Sequence, residues 1–101
     1  MAGFIQIIEY QTTRFDEVRQ LGEDFRAQMR ERGGGPGRVM VTKSRDRDNT
    51  YLSIVEFASH EAAMANSQDP ATQQFAEAMS KLCDGPPTFF NLDLIDSSEN
   101  G

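Results

Sequence analysis

The hydrophobic positions change period along the chain, and each change marks a new element. Phe4–Tyr10 is rich in β-branched and aromatic residues, which predicts a strand. Arg14–Glu31 follows with Phe15, Val18, Leu21 or Gly22, Phe25 and Met29 at three- and four-residue spacing, the stripe of an amphipathic helix. Thr13 is its expected N-cap, with Asp16 and Glu17 in the first turn. The glycine cluster Gly33-Gly34-Gly35-Pro36-Gly37 stops the helix.

Two further strands, Arg38–Ser44 and Tyr51–Ala58, flank a polar turn and suit a hairpin. A second helical stretch, His60–Leu82, contains Asp69-Pro70, an N-cap followed by a first-turn proline. It therefore divides into pieces near 60–66 and 70–82, the first capped by Ser59. Thr88–Ile95 predicts a last strand, and the tail from Asp96 is polar. The order is β-α-β-β-α-β, the ferredoxin-like split βαβ arrangement: an α+β domain with a four-stranded antiparallel sheet and helices on one face.

In this order strands 1 and 3 lie in the middle of the sheet, and one face stays uncovered. The uniform set Phe90/Leu92/Leu94 is expected to face the helices, matched by Ile5/Ile7 in strand 1. The uncovered face then carries Phe4, Gln6, Ile8, Tyr10, Leu52, Ile54, Glu56, Phe89, Asn91 and Asp93, with Met40 and Thr42. Strand 3 presents either Glu56 or Phe57, since a one-residue shift exchanges them. So apolar a face marks an interface or a ligand site.

Composition narrows the function classes. The chain has 101 residues, the size of one domain, and a net charge of −6 from 16 acidic and 10 basic residues. That balance argues against a nucleic-acid partner, which needs clustered Lys and Arg. No apolar run approaches the ~20 residues of a membrane span. The start lacks a basic region followed by an apolar one, so no signal peptide is read. Cys83 has no cysteine partner, which fits a reducing compartment, and a cytoplasmic protein is expected.

One His and one Cys are too few for a typical transition-metal site, so no metal is expected. The glycine cluster leads from helix to strand and has no lysine, the reverse of a phosphate-binding loop.

Val55-Glu56-Phe57-Ala58-Ser59 entering His60-Glu61-Ala62-Ala63, the broken helix at Ser67–Phe75 and the closing Gly85–Leu92 resemble the dimeric α/β-barrel superfamily. Within it, the chain is similar to the antibiotic-biosynthesis-monooxygenase-like group. The resemblance implies a homodimer joined through the open sheet faces and a pocket for a small aromatic ligand. It also implies cofactor-independent oxygenation of an aromatic or polyketide-like substrate, with polyketide cyclisation or isomerisation as a second activity. A haem-degrading role fits poorly, because the chain has no Trp, and Glu56 and Phe75 stand near the positions that branch uses.

Among the candidate site residues, Glu56 on an apolar face would act as general base. Tyr10 would hydrogen-bond a carbonyl or phenolate, and Gln6 and Asn91 would orient the ligand. Ile54, Phe89 and Met40 would line the cavity. In the competing reading these residues only pack or pair across the dimer, and the chain is a non-catalytic binding or structural domain. A pocket lined by both Glu56 and Tyr10 would favour the enzyme.

Overall fold

The computed structural model describes residues 3–33 and 36–98. Gly34 and Gly35 of the glycine connector, and the last three residues of the polar tail, lie outside the described residues. The elements are β1 (Phe4–Gln11), α1 (Phe15–Glu31), β2 (Arg38–Lys43), β3 (Thr50–Phe57), α2 (His60–Gln68), α3 (Pro70–Ser80) and β4 (Thr88–Asp93). The strands form one antiparallel sheet in the order β2-β3-β1-β4, with β3 and β1 central as expected.

Helix boundaries follow local chemistry. Ser59 caps α2 by accepting a hydrogen bond from the Ala62 amide at 3.1 Å, and Asp69 caps α3 by accepting from the Ala71 amide at 2.9 Å. The expected Thr13 cap of α1 is not formed: Arg14 is the N-cap residue and makes no side-chain cap bond. Thr12 does part of that work, its hydroxyl accepting from the Arg14 amide at 2.9 Å. Gly33 follows the last turn of α1 at φ 72°, a left-handed conformation that glycine adopts without a Cβ penalty.

The core lies between the helices and one sheet face, in two clusters bridged by Ile8. The first joins Phe4, Val55 and Phe57 to Ala63 of α2. The second joins Tyr10 and Tyr51 to Val18 of α1, with Phe15, Met79, Leu82 and Cys83 around them.

This placement inverts the expected faces of β1 and β4. Phe4, Gln6, Ile8 and Tyr10 face the helices, opposite Phe57, Val55, Ser53 and Tyr51 of β3. Phe89, Asn91 and Asp93 of β4 stand across from Ile8, Gln6 and Phe4, on the same side. The uncovered face carries Ile5, Ile7, Leu52, Ile54, Met40, Phe90 and Leu92. The expectation for Leu52, Ile54, Glu56, Met40 and Thr42 holds, and that for β1 and β4 does not. Both faces of β1 are apolar in sequence, so alternation alone does not say which is covered. The aromatic bulk of Phe4 and Tyr10, matched to Val18 and Ala63, fills the helix side.

Candidate functional site

The uncovered face is apolar with charged ends. Ile5, Ile7, Leu52 and Ile54 are half-buried, and Phe90 and Leu92 are each 43% exposed. Glu56 lies on this face across from Ile5 and Arg38, with the Arg38 Nε 3.6 Å from its carboxylate. Glu9, also on this face, is 3.3 Å from the Arg47 guanidinium. Met40 and Ile54 are cross-strand neighbours here.

The helix-facing side holds the remaining predicted residues. Gln6 Nε2 donates to Asn91 Oδ1 at 3.0 Å, toward the β4 edge, where Phe89 is 53% exposed. Tyr10 is buried, its ring stacked on Tyr51 at 5.8 Å, and Tyr51 in turn stacks on Phe15 at 4.2 Å. Burial pushes the Tyr10 phenol above its ordinary value, and the Cys83 and Tyr51 side chains add to the rise. The Ser53 side chain and the Arg26 guanidinium oppose it. The phenol is therefore an O–H donor at neutral pH.

The predicted residues thus divide between two sites. Tyr10, Gln6, Asn91 and Phe89 share the helix side. Glu56, Ile54 and Met40 share the open side. Glu56 and Tyr10 lie on opposite faces of the sheet. His60 is also remote from Tyr10: it meets the ring of Phe4 edge-on at 5.1 Å, and Phe4 stands six residues, about 20 Å, from Tyr10 along β1. The fold therefore does not bring His60 and Tyr10 together.

Two residues absent from the expected set act on the Tyr10 phenol, Ser53 and Arg26. Arg26 of α1 folds back over Gly22, so that a Cβ at Gly22 would meet its Nη1 at 3.2 Å and its Cζ at 3.9 Å. Gly22 is buried on the same face of α1 as Val18 and Met29. Ser53 belongs to β3, across from Ile8. The signal for Arg26 was Gly22 itself: a glycine inside a helical stripe, four residues before an arginine, disfavours the helix and calls for a steric reason. Two other depressions, along the 43–49 turn and between α1 and α3, are open to solvent and contain no predicted site residue. Among the described residues, no group of three His, Cys, Asp or Glu is placed to hold a metal ion, and no helix is long and apolar enough to cross a membrane.

No protein-family model and no curated protein matches the chain. Solved structures do. A protein from Caulobacter crescentus provisionally named an antibiotic biosynthesis monooxygenase aligns with a TM-score of 0.75 at 19% identity, covering 94% of this chain and 90% of its own. One of the same provisional name from Bordetella bronchiseptica aligns at 0.77 and 14% identity, over 94% and 99%. SnoaB from Streptomyces nogalater, described as a cofactor-independent oxygenase, aligns at 0.69 and 18% identity, over 97% and 95%. The chain has the ferredoxin-like β-α-β-β-α-β fold of these antibiotic-biosynthesis-monooxygenase-like proteins.

Proposed function

We propose that the chain is a cofactor-independent monooxygenase-like enzyme whose small aromatic or polyketide-like substrate binds between the helices and the sheet. The observation that carries this reading is the convergence of polar groups on a layer that packing alone would leave apolar. Tyr10 and Ser53 share the helix-facing side of the sheet, Arg26 of α1 acts on the Tyr10 phenol, and Gln6 and Asn91 pair near the β4 edge. An apolar surface with a few polar groups suits a small planar ligand. The fold shared with SnoaB supports the reaction class.

Tyr10 would donate to a substrate oxygen, and Gln6 and Asn91 would hold the ring edge that reaches β4. Glu56 faces the other way, so it serves the proposed dimer rather than this site. The oxidation itself needs no reductant beyond the substrate. A ring methylene, ionised to its carbanion, gives electrons to dioxygen. One oxygen atom becomes the new carbonyl, and the other leaves as water with the two methylene hydrogens.

Incubation with a hydroxyanthrone under labelled dioxygen tests the proposal. Quinone carrying one labelled oxygen, formed well above the uncatalysed rate and reduced at least tenfold in Tyr10→Phe, is the expected result. Turnover at the uncatalysed rate refutes it.

A further inference from the structure

Arg26 stands apart from the chain's other cations. Of the ten lysines and arginines it is the one that is not exposed. Among the described residues Arg26 holds no carboxylate, and unlike Arg30, Lys43, Arg45 and Lys81, which also hold none, it is not fully exposed to water. A half-buried charge without a counter-ion is unfavourable, and it gains the most from an anion supplied from outside.

Its position is set by Gly22. The guanidinium occupies the space a side chain at Gly22 would take, with Nη1, Cζ and Nη2 at 3.2, 3.9 and 4.0 Å from an ideal Cβ. Gly22 lies on the buried face of α1 with Val18, and Val18 packs on Tyr10. The guanidinium therefore lies over the side of α1 that carries Gly22 and Val18, and it is half-buried there. The ionisable side chains that act on Tyr10 besides Arg26 are Cys83 and Tyr51, and neither is a carboxylate.

We infer that Arg26, seated over Gly22, and the Tyr10 hydroxyl together form a receptor for the oxygen of an ionised phenol, so that the layer binds its aromatic ligand as the anion. The inference rests on the reading that this layer holds a small aromatic molecule. A planar guanidinium donates to an oxyanion with fixed geometry, and Tyr10 supplies a second donor. The phenol proton is lost to water, and the anion alone is retained.

The test uses 4-nitrophenol, whose anion is coloured, and nitrobenzene, which cannot ionise. Bound 4-nitrophenol is expected to ionise one to three pH units below its free value, a tenfold or greater preference for the anion. Arg26→Gln, checked for native helix content by circular dichroism, should abolish the shift and leave nitrobenzene binding within about twofold. Arg26→Lys should keep part of the shift. Gly22→Ala, which displaces the guanidinium, should reduce it. An unshifted bound probe, or a shift that survives Arg26→Gln, overturns the inference and leaves the aromatic site standing. Failure of both compounds to bind overturns the site itself, and the inference with it.

Discussion

The Arg32 guanidinium grips the Asp69 carboxylate with two hydrogen bonds, of 3.2 and 2.9 Å, and so ties the end of α1 to the start of α3. The same carboxylate caps α3 through the Ala71 amide at 2.9 Å. One side chain thus closes a helix terminus and a contact between residues 37 positions apart. The Arg32 hydrogen bonds, and then that amide, hold the Asp69 carboxyl below its ordinary value of 3.8. A carboxyl with a depressed folded pKa stabilises the protein above its unfolded pKa, and that contribution is lost as pH falls through the folded value. The melting temperature is therefore expected to fall as pH drops below about 4. Asp69→Asn should flatten that part of the profile, because the amide can still cap but cannot ionise. A melting profile below pH 4 that is identical in the two proteins would refute the coupling.

The face inversion gives a direct stability test. Phe4 is 4% exposed and packs with Val55, Phe57 and Ala63, while Phe90 is 43% exposed on the other side. Phe4→Ala should cost about 3–5 kcal/mol by opening a cavity in the core. Phe90→Ala should cost the protomer less than about 1 kcal/mol. Urea unfolding measures both, and the opposite ranking would restore the face assignment that alternation first suggested.

That inversion also shows what the sequence could and could not say. Element order was legible because each element has its own period and punctuation: the Phe15–Met29 stripe, Ser59 before α2, and Asp69-Pro70 before α3. The central placement of β1 and β3 followed from the order alone. The face of β1 was not legible, since Phe4, Ile8 and Tyr10 alternate with Ile5 and Ile7, and either set can serve as core. The site inherited that ambiguity. Alternation puts Tyr10 and Glu56 together only if Phe4/Gln6/Ile8/Tyr10 share a face with Leu52/Ile54/Glu56. The register instead places Tyr10 across from Tyr51, and Glu56 across from Ile5. Arg26 was missed because amphipathic patterning assigns charged residues to water, and only Gly22 hinted at an exception.

Thr12 joins three segments at one end of the sheet. It is fully buried. Its hydroxyl donates to the Leu82 carbonyl at 2.6 Å and accepts from the Arg14 amide at 2.9 Å, while its own amide donates to the Asn49 carbonyl at 2.9 Å. Thr12→Val keeps the shape and removes the hydroxyl, leaving a carbonyl and an amide without partners. The expected loss is roughly 1–3 kcal/mol, with Thr12→Ser losing less. A Thr12→Val protein as stable as the parent in chemical unfolding would show that water replaces both bonds.

The apolar open face predicts self-association. Ile7 and Ile54 face each other across β1 and β3 near its centre, with Ile5, Leu52, Phe90 and Leu92 around them. Burying such a face against its copy removes apolar surface from water on both partners at once, and the Arg38–Glu56 and Arg47–Glu9 pairs flank it without crossing its centre. A dimer of this kind is expected to sediment as one species at micromolar concentration. Ile54→Glu places a charge at the middle of the face, where in a dimer it would meet its own symmetry mate or apolar neighbours. In the isolated protomer Ile54 is only half-buried, so the same charge reaches water. The variant should therefore sediment as a folded monomer with unchanged helix content. A wild-type monomer at that concentration would exclude the sheet-to-sheet dimer, and a dimer that survives Ile54→Glu would move the interface to another surface.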